Sequence, residues 1–361
     1  MEKFKSFITE AKEEPYKLLI LSHDDPFDPN ETGPMVRKKA SELGIEVYLA
    51  EFSGMYMEDK GKDQLIYSFP VDDDGKVELP GMKDDAEYDK PFRINPKNTL
   101  VMARGIGSTV KTGNLSWRVA CLNLESQGYT LINPVICHDI CNDKWYNQIV
   151  FQQNDIRTPN TVLVRHSEGA EDAAKRLGNK FPMILKTAVG SRGVGVIWIE
   201  SLKALHSVIQ LLHREDEYVD ILLQEYIKTD YDVRVIIAAG EILGAIKRPV
   251  VGDDFRSNVS QGSEPQAHKL TEREAQESLR AAESVQGQVV GVDFIPAKNR
   301  DRESPYFIEV NSTPGLMGIE AVLSKSAAKP LIKGKDRSIT KEILKMYMNR
   351  DNWTLDKSTE T

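Results

Sequence analysis

Three oxygen-bearing side chains in the C-terminal half are spaced for metal-assisted phosphate chemistry. Glu309 and Asn311 lie two apart in Phe-Ile-Glu-Val-Asn (307–311). That stretch reads as a strand, so both point to one face while Ile308 and Val310 point to the other. Asp293 sits in the apolar run Gly-Val-Asp-Phe-Ile (291–295), a second strand joined to the first through the turn 299–304. Hard oxygen ligands with open positions suit Mg²⁺ bridging nucleotide phosphates rather than zinc. A pair of surface carboxylates is the simpler alternative, weakened because buried carboxylates need a metal or a cation.

Lys186 ends the apolar run Phe-Pro-Met-Ile-Leu-Lys (181–186), ahead of a loop that carries Gly190, Ser191, Arg192, Gly193 and Gly195. Glycines let a backbone approach an anion and aim several N–H groups at it, and a lysine adds a point charge. No Gly-Lys-Ser/Thr follows and strands flank the loop on both sides, so this is not a Walker loop. Taken alone, a glycine-rich hairpin with no ligand fits these residues about as well. Arg234, Lys247, Arg248 and the run Arg256-Ser257-Asn258 lie in the same half. Arginines at strand ends can grip a phosphoryl group or a carboxylate bidentately, although isolated charges are more often solvated. Gln224-Glu225-Tyr226-Ile227 closes an apolar strand and can offer backbone groups to a base edge. Cys137-His138-Asp-Ile-Cys141 has no second Cys/His pair at a zinc spacing, so it is not read as a metal site. The Asp72–Asp74 run is a solvated turn.

These groups need a scaffold, and the apolar periodicity supplies one. Residues 17–22 read as a buried strand, 33–43 as a helix stopped by Gly44, and 45–50 as the next strand, a β-α-β opening. Residues 58–98 read as loop-rich, followed by short strands at 100–102 and 130–133 around a helix bearing Trp117, Leu122 and Leu124. Beyond a helix at 143–154, strands are expected at 158–164, 183–186 and 194–199, with helices at 168–177 and 201–212. From Ile221 strands dominate, interrupted by one helix at 271–286, which points to an antiparallel sheet. The fold class is therefore α/β followed by α+β.

Charge agrees with a boundary near residue 143. The 361-residue chain has a net charge of −8, and residues 1–143, with 17 basic and 25 acidic side chains, hold all of it. An acidic balance argues against nucleic-acid binding by bulk charge. No apolar run reaches the ~18 residues of a membrane span, and the N-terminus lacks a signal-peptide block. Three cysteines in a chain of this length suggest a reducing cytoplasm. The polar end, from about residue 352, reads as disordered.

The ordered set Asn-Asp-Lys-Trp (142–145), the Lys186 loop, Gln-Glu-Tyr-Ile, Asp-Val-Arg (232–234), Asp-Phe-Arg-Ser-Asn (254–258), Gly-Val-Asp-Phe and Glu-Val-Asn-Ser-Thr-Pro-Gly-Leu (309–316) closely resembles the ATP-grasp ligases. Within them it is most similar to the RimK-type amino-acid ligases, best known for adding glutamates to the C-terminus of a ribosomal protein. Weaker points are Met-Tyr-Met (55–57) and Arg-Gly-Ile-Gly (104–107), so the resemblance runs from the first strand to about residue 323. It implies an ATP-grasp fold behind an N-terminal Rossmann-like, pre-ATP-grasp domain at 1–142. A central lid subdomain at 143–222, a C-terminal subdomain with the metal site at 223–335, and a helix and tail at 336–361 would follow.

The resemblance also implies roles. Lys144 and Lys186 contact the nucleotide phosphates, with Gly190, Ser191, Arg192, Gly193 and Gly195 closing over them. Glu225, Tyr226 and Ile227 form the adenine hinge, and Asp232 holds the ribose. Asp293, Glu309 and Asn311 bind two Mg²⁺ ions, replaceable by Mn²⁺. Arg248, Arg256, Ser257 and Asn258 lie beside the γ-phosphate and the acceptor carboxylate, with Arg248, Arg256 and Asn258 as the catalytic set. Gly262 is followed by Ser263 where many relatives have a second glycine, and Lys247-Arg248-Pro249 varies the usual basic stretch. The implied activity is ATP- and Mg²⁺-dependent carboxylate–amine ligation through an acylphosphate, adding L-glutamate to a carboxyl-terminated protein or peptide. Other acceptors or amino acids, and a non-catalytic ATP-binding regulator, are the alternatives. A cytoplasmic homo-oligomer, dimer or tetramer, with no direct nucleic-acid or membrane partner, completes the expectation.

Overall fold

The computed structural model describes residues 16–22, 32–52, 55–60, 63–68, 92–104, 116–189, 196–215, 219–250, 264–325 and 338–353. The sequence-predicted site residues Gly190, Ser191, Arg192, Gly193, Gly195, Arg256, Ser257 and Asn258 lie outside them, as do the Asp72–Asp74 turn and the chain end beyond 353.

The N-terminal elements are β1 (Lys17–Ser22), α1 (Thr32–Glu42), β2 (Glu46–Glu51), β3 (Met55–Lys60), β4 (Asp63–Ser68), β5 (Phe92–Arg93), β6 (Thr99–Arg104), α2 (Ser116–Ser126) and β7 (Thr130–Ile132). Strands β2-β1-β6-β7 form a parallel sheet in that order. Strand β1 is buried on both faces, which explains its unbroken apolar run. Leu18 and Ile20 pack toward α1, and Leu19 and Leu21 toward Trp117 and Leu124 of α2.

Strands β3, β4 and β5 make a separate antiparallel sheet, which corrects the loop-rich reading wherever residues 58–98 are described. The stretches Met-Tyr-Met-Glu-Asp-Lys and Asp-Gln-Leu-Ile-Tyr-Ser do not alternate apolar with polar residues, which hides this sheet in the sequence. Tyr56 and Met57 are exposed, whereas Ile66 is buried, so no apolar alternation marks the strands.

Helix α3 (Val135–Asn142) leads into α4 (Lys144–Gln153) across Asp143, whose carboxylate accepts from the N–H groups of Trp145 (2.8 Å) and Tyr146 (3.1 Å). An aspartate cap of this kind starts the second helix and sets the position of Lys144. The following elements are β8 (Thr161–Val164), α5 (Ala170–Arg176), β9 (Met183–Thr187), β10 (Val196–Ile199), α6 (Leu202–Glu215) and β11 (Ile221–Glu225). Their antiparallel sheet has the order β10-β9-β11-β8. One face, with Met183, Leu185, Ile199, Ile221 and Leu223, is covered by Ala173 and Ala174 of α5 and Leu205 and Ile209 of α6. The opposite face carries Lys186.

The last sheet is built from β12 (Tyr231–Ala238), β13 (Glu241–Pro249), β14 (Gln266–Ala267), β15 (Val289–Ile295) and β16 (Tyr306–Asn311), in the order β14-β13-β12-β15-β16. Helix α7 (Glu272–Ser284) starts on a capping box in which the Thr271 hydroxyl and the Glu274 carboxylate each accept the other's backbone N–H. It packs with α3 and α4 on the face made by Val233, Val235, Val292, Phe294 and Val310. On the other face, Ile236, Ala238, Leu243 and Ile246 meet Ile319 of α8 (Met317–Lys325) and Ile339 and Ile343 of α9 (Ile339–Met348). A Cβ at Gly244 would fall 2.4 Å from a Leu323 methyl, so α8 packs closely over this position and any side chain here would displace the end of Leu323. Among the described residues no helix is long and apolar enough to cross a membrane.

Candidate active site

The second face of the last sheet turns from apolar to charged along β12. Asp232 and Arg234 precede Ile236 and Ala238 on that face, so one strand serves a core and a polar site. Register does the assembly: Asp232 stands opposite Arg248, Arg234 opposite Asp293, and Asp293 opposite Glu309. Directly opposed residues share a face, so acid meets base from β13 to β15, and two acids, Asp293 and Glu309, stand opposite each other between β15 and β16.

Arg248, only 4% exposed, donates to Asp232 through Nε (2.7 Å) and a terminal nitrogen (2.6 Å), and that nitrogen also reaches Asp293 (3.0 Å). Arg234 grips Asp293 in a second fork at 2.7 and 2.6 Å. Two buried carboxylates thus sit against two guanidiniums, the condition under which such charges are tolerated inside a protein. Burial raises the Asp293 pKa, but Arg234 and Arg248 outweigh it and hold the carboxyl below its ordinary value. Burial likewise opposes the charge on Arg248, and Asp293 and Asp232 more than restore it.

Glu309 and Asn311 continue the row on β16, with the Asn311 amide donating to Glu309 at 3.3 Å. Both are partly exposed. Their donor chemistry fits a hard divalent cation, with Glu309 and the Asn311 carbonyl oxygen as ligands. Asp293 fits less freely, because both its oxygens already take guanidinium hydrogens and it would join a metal only through remaining lone pairs. Among the described residues no cluster of three His, Cys, Asp or Glu side chains stands ready for a metal.

Lys186 comes from the central sheet and Lys144 from the start of α4. Lys186 on β9 donates its ammonium to the Gln224 side-chain carbonyl on β11 (2.8 Å), and the Gln224 amide donates to the Thr161 hydroxyl on β8 (2.8 Å). Burial lowers the Lys186 pKa, Glu309 raises it and Lys144 lowers it, and the outcome is about 8. The Glu309 interaction brings the two sheets together: an acid of the last sheet lies within electrostatic reach of a lysine on the central one. Lys144 is tied to the same strand end by its backbone N–H, which donates to Ala188 O at 2.9 Å. Thus Lys186 lies within electrostatic reach of both Lys144 and Glu309, and Glu309 in turn stands opposite Asp293 and beside Asn311.

The 225–227 segment begins at the last residue of β11. Its Glu225 carboxylate accepts from the Asn160 N–H (2.8 Å), and the Tyr226 ring stands edge-on to Trp198 at 4.7 Å. Sequence reading named Gln224 only within the 224–227 strand end offered to a base edge, and it passed over Thr161 and Trp198. All three occupy the Lys186 face, as their registers opposite Ile184 and each other require. Period-two alternation from Lys186 and its cross-strand partners was the only signal that could have found them. Cys137 and Cys141 are neighbours on α3 with sulfurs 3.9 Å apart, and His138 between them is turned to Ser312.

Lysine ammoniums beside a row of acids and arginines form a set of charges that could engage an anionic ligand together with a divalent cation. Residues 141–334 match the model of the RimK-like ATP-grasp domain. A probable alpha-L-glutamate ligase of a Marinomonas species is 30% identical over 260 residues, covering 71% of this chain and 82% of that protein. A probable alpha-L-glutamate ligase of Rhodopirellula baltica is 32% identical over 192 residues, of which 53% of this chain and only 46% of the relative are covered. Among solved structures, a Chryseobacterium gregarium RiPP-associated ATP-grasp ligase in complex with ADP and a leader and core peptide is similar. It has a TM-score of 0.64 at 12% identity, over 93% of this chain and 97% of that one. The D-cycloserine synthetase DcsG aligns with a TM-score of 0.60 at 14% identity, over 92% and 99% of the two chains. The chain belongs to the RimK-like ATP-grasp family and is an ATP-dependent ligase.

Proposed function

We propose that the protein is a carboxylate–amine ligase that adds L-glutamate to the C-terminal carboxylate of a protein or peptide. The observation that supports this reading is the row Asp232, Arg248, Arg234, Asp293 and Glu309 set on one sheet face by strand register, with Lys186 of the central sheet within electrostatic reach of Glu309. The names of the Marinomonas and Rhodopirellula relatives favour glutamate as the added amino acid. The peptide bound to the Chryseobacterium ligase favours a peptide-like acceptor.

The chemistry follows from what a carboxylate lacks. Its carbon is a poor acylating centre, so a carboxylate oxygen attacks the γ-phosphorus and the bond to ADP breaks. The incoming amine then attacks the acyl carbon, the C–O bond to phosphate breaks, and amide, ADP and phosphate result, with the amine proton passing to the medium. Phosphoryl transfer of this kind needs positioning and charge neutralisation more than a covalent nucleophile. Lys144 and Lys186 hold the phosphates, and Gln224 fixes Lys186 from behind. Glu309 and Asn311, with Asp293 where its guanidinium partners allow, would hold a divalent ion, which would supply positive charge to neutralise the phosphates. Asp232 keeps Arg248 oriented toward that end of the sheet.

The test is to supply purified protein with ATP, Mg²⁺, glutamate and a panel of acceptor peptides. Glutamate-dependent release of ADP and phosphate, with acceptor mass increased by glutamyl units, is expected. Glu309→Ala should abolish turnover, and retained activity would overturn the metal assignment. Phosphate release that responds only to small acids would redirect the acceptor to a small molecule. No amino-acid-dependent turnover with any acceptor would remove the ligation reading.

A further inference from the structure

Asn133, fully buried just after β7 of the N-terminal sheet, makes four hydrogen bonds, all to the last sheet. Its amide nitrogen donates to Val289 O (2.7 Å) and Ser312 O (2.6 Å). Its carbonyl oxygen accepts from Gln288 N (2.6 Å) and Val289 N (2.8 Å). Val289 begins β15, which carries Asp293, and Ser312 directly follows Asn311 at the end of β16. One side chain therefore joins the two strands that bear the metal donors.

Three more N-terminal residues hold the same segment. The buried His138 of α3 shares a hydrogen bond between Nδ1 and the Ser312 hydroxyl (2.8 Å). Arg104, at the end of β6, donates to Pro314 O (3.2 Å), and the Thr32 hydroxyl, at the start of α1, accepts from Leu316 N (3.1 Å). Beneath them the chain lies flat on β15, since a Cβ at Gly291 would come within 3.0 Å of Pro314 Cβ. Residues 312–316 are thus gripped from α1, β6, the β7 end and α3, at successive points just after the last donor.

We propose that Asn133, His138, Arg104 and Thr32 are positioning residues for Glu309 and Asn311, so that the N-terminal sheet sets the geometry of the metal-donor strand. This rests on the metal reading given above. Groups behind a ligand set tune affinity about 10–100-fold without touching the ion. Four anchors within five residues of Asn311 hold that strand end more firmly than strand pairing alone, because among the described residues β16 is an edge strand with β15 as its single partner. A domain contact serving stability alone has no reason to concentrate on this segment.

The experiment measures Mn²⁺ binding to the full-length protein with ADP, by electron paramagnetic resonance, alongside steady-state kinetics. Asn133→Ala strips four buried hydrogen bonds and threatens folding, so Ser312→Ala and Thr32→Val carry the test, each checked for unchanged melting within a few degrees. Both should weaken Mn²⁺ about tenfold and lower kcat with little change in the KM for the amino acid, and Thr32→Ser, which keeps the hydroxyl, should restore both. Glu309→Gln serves as reference and should weaken Mn²⁺ more. If Glu309→Gln weakens Mn²⁺ while Ser312→Ala and Thr32→Val do not, the positioning proposal alone is overturned. If Glu309→Gln leaves Mn²⁺ binding intact, the metal reading fails and the proposal falls with it.

Discussion

Lys186 links nucleotide binding to protons. Its pKa of about 8, set first by burial and then by the opposing charges of Glu309 and Lys144, lies well below that of an ordinary lysine. Phosphates arriving beside the ammonium favour its charged form and return the pKa toward the ordinary value. At pH 8.5 about three-quarters of the free protein carries a neutral Lys186, so nucleotide binding should take up about 0.7 proton; at pH 7 the uptake falls to about 0.1. The sign follows directly: raising the pH through 8 removes a charge the phosphates need, and affinity declines. Between pH 7.5 and pH 9 the expected loss is about eightfold, or roughly 1.2 kcal/mol. Titration calorimetry of ADP in buffers of different ionisation enthalpy measures the uptake directly. Lys186→Arg is the control, because a guanidinium stays charged throughout and the buffer dependence should vanish. Equal apparent enthalpies in all buffers at pH 8.5, or an uptake that survives in Lys186→Arg, would refute the reasoning.

Other consequences follow from the same geometry. Arg248→Ala leaves Asp232 and Asp293 short of a shared buried partner and should cost about 3–5 kcal/mol of stability, read by denaturant unfolding; a loss under 1 kcal/mol would mean the carboxylates find other partners. Gln224→Ala frees Lys186 from its carbonyl and should weaken ADP severalfold without altering the KM of the amino acid, whereas Thr161→Val, one bond further back, should do so less. His138 is held neutral by burial and by Arg104, with its pKa lowered to about 3, so the unfolded chain binds the extra proton as pH falls below about 6.5. Stability should therefore drop by about 1–2 kcal/mol between pH 6.5 and pH 5, above the range where carboxylates titrate, and His138→Gln should flatten that slope in thermal melts.

Much of the site was legible because its parts are local. Glu309 and Asn311 share a face by strand periodicity alone, Asp143 announces the helix that presents Lys144, and the ordered motifs identify the family. The hairpin at 55–68 was illegible for a physical reason: it buries Ile66 but leaves Tyr56 and Met57 in water, so it carries no apolar alternation. Gln224 read as one more residue of an apolar strand, since its meaning depends on Lys186, which is 38 residues away in the chain.

The chain's own order of residues determines which segments are strands, which faces are apolar, and which side chains bear the chemistry, because those properties repeat every two or every 3.6 residues. Pairing and register are another matter. Backbone hydrogen bonds are the same for any two strands, so only packing of whole faces selects the order β13-β12-β15-β16. That order brings Arg234 to Asp293 across 59 residues and Arg248 to the same carboxylate across 45. It turns a sequence-predicted metal ligand into the centre of a buried ion network. Tertiary structure alone also sets Asn133, just after the last strand of the N-terminal sheet, against Ser312 and so ties the N-terminal elements to the donor strand.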